Sequence, residues 1–152
     1  MTRKGQARKT RTKEMLLPLP ASIVKQISLE NHMSLVVMRN GHGTQDTMTA
    51  LLQTLYMTFY LLDGNCSEVD LALFLEVETG LDKSIRTAAQ GCDWQVDAQW
   101  LPAIEQVLRR NDEIMGSLPK YCYAEAWGKL TRFVGSTQMS PLPGSRLNEV
   151  LA

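Results

Sequence analysis

The sequence has little of what usually cross-links a small protein or gives it a metal. Its 152 residues include only three cysteines and two histidines. Because Cys66, Cys92 and Cys122 are odd in number and widely spaced, they are not a disulfide framework and they favour a reducing compartment. No pair of cysteines or histidines has the short spacing that lets two ligands share one zinc ion. We therefore expect no metal, no cofactor and a cytoplasmic location, with the cysteines as small core residues.

Long apolar runs and net charge are missing as well. No run approaches the roughly 20 apolar residues of a membrane-spanning helix. The first segment lacks the apolar core and cleavage site of a signal peptide. The hydrophobic content of 44% and the charged content of 21% are typical of globular proteins. Composition therefore excludes the membrane, secreted disulfide-rich and wholly disordered classes, and the length fits one domain.

The zero net charge hides two parts of opposite sign. Residues 1–14 carry six basic side chains and one acidic one, whereas residues 15–152 carry ten basic and fifteen acidic ones. We expect residues 1–14 to form a flexible basic arm, because they have almost no apolar surface to bury. Such an arm can neutralise nucleic-acid phosphates, or it can bind the chain's own acidic body. The candidate nucleic-acid-binding residues are Arg3, Lys4, Arg8, Lys9, Arg11 and Lys13.

The body, residues 15–135, repeats its apolar residues every three to four positions, which predicts helices. Two prolines within residues 15–20 predict an extended approach to the first helix. Residues 136–152 are expected to form a proline-containing tail with a short final helix that Ser145 caps. The fold class is therefore all-α, a single-domain bundle of five to six helices with a basic N-terminal arm. Helices are predicted over residues 21–40, 45–62, 68–89, 98–115 and 120–134.

In the first predicted helix, Leu29, Met33, Val36 and Val37 form one apolar stripe, which we expect to face the core. A break near Ser28 is possible in that helix, because serine can cap a second segment.

The second predicted helix is apolar on most sides, which is typical of the central helix of a bundle. Thr44 and Ser67 are predicted N-caps of the second and third helices. Gly80, inside the third helix, predicts a kink or a close crossing.

Few residues suggest chemistry. The glycines of the segment Gly41-His42-Gly43-Thr44 fit a turn with positive φ better than a phosphate site. No orienting carboxylate or nucleophile can be placed beside His32, so we predict no catalytic residue. Trp94 in a turn is a candidate exposed anchor, and Arg109 with Arg110 is a candidate partner contact. Trp127 is expected in the core.

Two stretches, SLENHMSLVVMRNGHGTQDTMTALLQTLYMTFYL (28–61) and KYCYAEAWGKLTRF (120–133), carry a resemblance. They are similar to small, poorly characterised helical proteins of proteobacterial phages, plasmids and integrative elements, some of which are labelled Fis-like regulators. The resemblance covers about a third of the chain and contains no active-site motif. It implies an origin in a mobile element, and such elements encode small acidic proteins that bind and disable host defence complexes.

The function predicted from these observations is that of a non-enzymatic binding protein. It would associate with a host protein or nucleoprotein complex, as anti-CRISPR-type inhibitors do, with no membrane involved. The alternative is a DNA-binding transcriptional regulator that uses the basic N-terminal arm.

Overall fold

The structure, a computed structural model, describes residues 11–151 and the side chains of residues 11–149. Six α-helices and two short 3-10 helices make up this part of the chain, and none of its residues lies in a β-strand. The predicted all-α bundle is therefore confirmed. The α-helices are α1 (Lys13–Leu16), α2 (Ala21–Arg39), α3 (Gln45–Leu62), α4 (Glu68–Ala89), α5 (Leu101–Ser117) and α6 (Lys120–Val134), and the 3-10 helices are Ala98–Trp100 and Arg146–Leu151.

The starts of α3 and α4 are fixed by capping boxes at the predicted residues. The Thr44 hydroxyl accepts a hydrogen bond from the Thr47 N–H at 3.2 Å, and the Ser67 hydroxyl accepts one from the Asp70 N–H at 3.0 Å. In return, the Thr47 side chain accepts a hydrogen bond from the Thr44 N–H, and the Asp70 side chain accepts one from the Ser67 N–H. Two N–H groups without helical partners are satisfied in this way, so local sequence decides where each helix begins.

Helix α3 lies at the centre of the bundle, as predicted. It packs against α2, α4, α5 and α6. Leu55 and Thr58 are completely buried at its middle. A helix that is contacted from several directions needs apolar side chains around most of its circumference, which is the pattern of its sequence.

Helix α2 presents to the core a different face from the one predicted. It buries Leu35 and Met38, and it exposes Leu29, Met33 and Val36. The helix carries two apolar stripes, because Val24 and Ile27 also pack against the core with the buried pair, on the side that contacts α3 and α5. Periodicity detects a stripe but does not say which of two is covered. The helix also runs without the break considered near Ser28.

The N-terminal part of the described chain differs from its predicted boundaries. Helix α1 begins at Lys13, inside the range predicted as an arm, and it covers part of the segment predicted as extended. The Leu17 carbonyl accepts a hydrogen bond from the Lys120 N–H at 2.8 Å, so this segment is tied to α6. Beyond residue 135 the short final helix lies where it was predicted, at Arg146–Leu151, and the Ser145 hydroxyl accepts a hydrogen bond from the Leu147 N–H at 3.2 Å. Ser140, Leu142 and Ser145 are buried, so this segment packs against the bundle.

Gly80 marks a close approach, one of the two outcomes predicted for it. A Cβ at this position would lie 2.6 Å from ring atoms of Trp100, which belongs to the first 3-10 helix. That helix occupies the first turn of the predicted fourth helix, and α5 then starts with Pro102 in its first turn. None of the helices within residues 11–151 combines the length and the apolar composition needed to cross a membrane.

Candidate protein-binding surface

One apolar stripe on α2 faces solvent. Its residues Leu29, Met33 and Val36 are 63%, 53% and 46% exposed, and we call this set the α2 outer stripe. The spacing of four and three residues places the side chains on one line along the helix. At 1.5 Å per residue the line is about 10 Å long. Three large apolar side chains therefore stand together on one exposed face.

Single exposed apolar residues are normal on any protein, and the chain offers examples for comparison. Val69 on α4 is 79% exposed and Val134 at the end of α6 is 73% exposed, but neither belongs to such a line. A contiguous group is different, because exposed apolar patches mark contact sites more often than scattered residues do. The α2 outer stripe is thus the stronger candidate for an interaction surface.

The border of the stripe is polar. Lys25 and Arg39, toward the two ends of α2, are exposed. Beside the stripe, Nε2 of His32 lies 2.9 Å from Oδ2 of Asp112 on α5. Asp112 is the carboxylate that sequence reasoning could not place, and it fixes the orientation of the imidazole. Within residues 11–151 no hydrogen bond joins His32 to a hydroxyl or thiol group that could act as a nucleophile.

Part of the predicted basic arm is bound to the body. The Arg11 guanidinium donates to Oε1 of Glu125 at 2.9 Å and lies 3.9 Å from the centre of the Tyr121 ring. Nζ of Lys120 donates to Glu14 at 3.1 Å, which ties the same segment down again. These contacts match the alternative in which the basic segment binds the chain's own acidic body. The nucleic-acid role stays a prediction for Arg11 and Lys13, whereas the four remaining candidates lie outside the described residues: Arg3, Lys4, Arg8 and Lys9.

Of the three predicted partner-binding residues, Arg109 and Arg110 line one shallow depression, whereas Trp94 does not line it. Arg109 lies 4.0 Å from Glu105. Arg110 is half-buried, with Asp70 at 4.0 Å and Glu113 at 3.9 Å, so acidic side chains already surround its charge. Their role in binding a partner stays a prediction.

Trp94 is half-buried and packs against the core, so it is a packing residue more than an exposed anchor. Its carbonyl accepts a hydrogen bond from the Gly43 N–H at 3.2 Å. A Cβ at Gly43 would lie 2.8 Å from that oxygen, so glycine permits the contact. The positive φ of 76° at Gly41 agrees with the turn predicted for the segment that begins at this residue.

A buried carboxylate cluster was not anticipated from the sequence. Glu78, on α4, is 3% exposed and accepts hydrogen bonds from the hydroxyls of Tyr56, Ser140 and Ser145. The Tyr56 oxygen lies 2.8 Å from the carboxylate. Burial and the neighbouring carboxylate raise the pKa of Tyr56 far above its usual value. The cluster joins α3, α4 and the C-terminal segment, and its clearest role is to hold that segment in place.

The cysteines occupy three different environments. Cys66 is half-buried and packs against the core, where burial, followed by the charge of Asp70, raises the pKa of its thiol. Cys122 is also half-buried, whereas Cys92 is exposed, so the expectation of a core residue is wrong for Cys92. Across residues 11–151 no three His, Cys, Asp or Glu side chains form a group that could hold a metal ion.

No protein-family model, no curated protein and no solved structure matches the chain.

Proposed function

We propose that the chain is a non-enzymatic binding protein that associates with a host protein through the α2 outer stripe. The observation that carries the proposal is the exposure of Leu29, Met33 and Val36 on the face of α2 opposite its buried residues. A soluble helix with a second apolar stripe normally has something to cover it. The resemblance to mobile-element proteins makes a host defence complex, bound in the cytoplasm as anti-CRISPR-type inhibitors bind, the first partner class to test.

The arrangement fits recognition of a helix by a groove. In that mode, apolar residues spaced by three or four positions enter an apolar groove, and polar residues surround the contact. Full burial of one such side chain contributes about 1.5–3 kcal/mol, and the stripe residues are already about half covered. The stripe would therefore contribute roughly 2–5 kcal/mol, less than the 8.2 kcal/mol of a micromolar complex. The partner must also contact the polar border, where Lys25 and Arg39 favour acidic groups.

The proposal is tested with a variant that removes the apolar stripe and keeps the charge. Tagged wild-type chain and the triple variant Leu29→Gln, Met33→Gln, Val36→Gln are incubated with a proteobacterial lysate, and bound proteins are quantified by mass spectrometry. We expect a stoichiometric protein partner for the wild type and at least a tenfold loss for the variant. Comparing capture at 0.15 M and 0.5 M salt measures the share that the charged border contributes, because exposed charges are strongly screened at the higher concentration.

The matched control is the double variant Val69→Gln, Val134→Gln, which removes exposed apolar side chains elsewhere and should capture the partner as well as the wild type does. Two results would contradict the proposal: no protein captured at micromolar concentration, or equal capture by the stripe variant. Capture of nucleic acid alone, lost as salt rises, would instead favour the regulator that binds DNA.

A further inference from the structure

A cavity of about 200 Å³ opens between four helices, apart from the α2 outer stripe. Its walls include Met57 of α3 and Met115 of α5, and Tyr123 and Trp127 of α6 form an aromatic side. Polar side chains also line it: Glu30, Asn31, Gln53, Thr54 and Asn111. The two rings are nearly parallel, with centroids 6.5 Å apart. Trp127 is 45% exposed, which corrects its predicted place in the core and puts it within reach of an entering molecule.

One buried acceptor beside this wall has no partner among the described residues. Asn111, on α5, lines the cavity and is 2% exposed, and its Oδ1, which lies just beneath the surface, makes no hydrogen bond to residues 11–149. An unpaired buried polar atom is costly, and most such atoms in proteins are satisfied. The atom therefore indicates that something able to donate a hydrogen bond belongs beside it.

The neighbouring hydrogen bonds fix which atom of the Asn111 amide is left without a partner. The Thr58 hydroxyl donates to the Thr54 carbonyl at 2.7 Å, so its only proton is used. Its oxygen can then only accept, and it accepts from Nδ2 of Asn111 at 3.0 Å. If the amide oxygen and nitrogen of Asn111 were exchanged, the amide oxygen would face the Thr58 oxygen, and neither atom could donate a hydrogen bond. The unpaired atom is therefore the oxygen, on the branch of the amide turned away from Thr58.

The size and lining of the cavity define the class of ligand. An enclosed apolar cavity of about 150 Å³ holds one benzene molecule, so 200 Å³ admits one ring with a small substituent. Binding cavities are mostly apolar, and a few polar groups orient the ligand. We propose that this cavity binds a small aromatic molecule that carries one O–H or N–H donor, with the ring against the aromatic side and the donor on Oδ1 of Asn111.

The proposal is tested with phenol and toluene, which have similar shapes and differ in a donor. Each is titrated into the 15N-labelled full chain, and shifts of the Asn111 side-chain amide and the Trp127 indole N–H give the dissociation constants. A purely apolar cavity would prefer toluene, because phenol loses hydrogen bonds to water on entering. We expect phenol to bind about tenfold more tightly, since its hydroxyl pairs with the free oxygen.

Two variants test separately the hydrogen bond to Asn111 and the volume of the cavity. In Asn111→Leu the acceptor is gone, so toluene should bind more tightly than phenol. In Ala50→Leu the added side chain enters the cavity from α3, so both affinities should fall at least tenfold while Asn111 stays intact. The matched control is Ala72→Leu, at an exposed position of α4 that does not line the cavity, and it should leave both affinities unchanged.

The proposal is wrong if neither probe shifts these signals, if toluene binds as well as phenol, or if Ala50→Leu leaves both affinities unchanged. Should Asn111→Leu fail to fold, the preference for phenol in the wild type and the fall of both affinities in Ala50→Leu still decide. The partner capture proposed for the α2 outer stripe is independent of these results, because that stripe does not line the cavity.

Discussion

At the scale of single residues, Glu78 has the most demanding environment. A carboxyl group that is 3% exposed needs hydrogen bonds to replace the lost water, and three hydroxyls supply them here. One of them, Tyr56, gives a measurable consequence. Its pKa is raised first by burial and then by the charge of Glu78, so the folded protein holds the tyrosine proton more tightly than the unfolded chain does.

This difference makes stability depend on pH in the alkaline range. Below the unfolded value near 10, both states are protonated and the full contribution of Tyr56 is present. As the pH rises above 10, the unfolded tyrosine ionises first, and the wild type loses up to about 1.4 kcal/mol per pH unit from this group. The variant Tyr56→Phe has no hydroxyl to ionise, so its stability does not fall with pH for this reason. We expect the variant to be less stable by about 1.5–3 kcal/mol at pH 8, because it lacks a bond to a charged acceptor, and the gap to narrow by pH 11.

Urea unfolding of both proteins at pH 8, 10 and 11 measures the gap. The other tyrosines with a raised pKa, Tyr60, Tyr121 and Tyr123, are present in both proteins and cancel in the comparison. A gap that stays constant over this range would show that Tyr56 titrates alike in the folded and unfolded states.

At the scale of helices, three glycines inside helices differ in what surrounds them. Gly80 in α4 meets the Trp100 ring, where a Cβ would lie 2.6 Å away. Gly116 in α5 and Gly128 in α6 have no outside atom within 4 Å of such a Cβ. The first glycine permits the 3-10 helix to approach α4, whereas the other two only cost the helix backbone entropy.

Alanine at these positions should therefore have opposite effects. Gly116→Ala and Gly128→Ala should each stabilise the protein by about 0.5–1 kcal/mol, the usual preference for alanine inside a helix. Gly80→Ala should destabilise it by about 1–3 kcal/mol, because the Trp100 ring must move from a packed position. Thermal unfolding of the three variants measures the signs. Stabilisation by Gly80→Ala would mean that the ring moves aside at little cost.

At the scale of the whole molecule, the C-terminal segment completes the bundle. Leu142 is 1% exposed, and Ser140 and Ser145 donate hydrogen bonds to Glu78 more than 60 residues earlier in the chain. The side-chain oxygen of Asn148 accepts from the N–H groups of Met139 and Ser140, both at 3.1 Å, which holds the segment in its bent path.

Deletion of residues 137–152 should therefore weaken the whole domain. Burial of one leucine contributes about 1.5–3 kcal/mol and each of the two hydrogen bonds to Glu78 a similar amount, so we expect a loss of roughly 4–9 kcal/mol. The full-length double variant Ser140→Ala, Ser145→Ala keeps Leu142 and should lose less than the deletion does. Denaturant unfolding of the three proteins gives the order. A truncated chain as stable as the wild type would show that the segment only rests on the surface.

A double-mutant cycle that combines the deletion with Glu78→Leu identifies why the deletion lowers stability. In the full chain this substitution leaves three hydroxyls without their acceptor and should destabilise. In the truncated chain two of those hydroxyls are gone, so the same substitution should cost less. Equal costs in both backgrounds would show that the hydroxyls of the C-terminal segment do not stabilise Glu78.

The sequence by itself determined most helices of the bundle. It did not predict α1, and α5 begins three residues and ends two residues later than predicted, after a separate 3-10 helix. The predicted bounds of α3, α4 and α6 agree with the structure, and those of α2 differ by one residue. These bounds follow from caps, glycines and prolines, which act on the few residues beside them. The central place of α3 was also predicted, because a helix that is apolar on most sides has to be covered on most sides.

Only the tertiary structure decided which surfaces are left for function. Leu29, Met33 and Val36 formed a visible stripe, but their exposure depended on the second stripe of α2 fitting the core better. The Glu78 cluster and the Asn111 cavity join residues that are far apart in the chain. Local sequence patterns do not predict such long-range contacts. Hydrogen bonding within a helix is local, whereas burial is a competition among all faces of the chain at once.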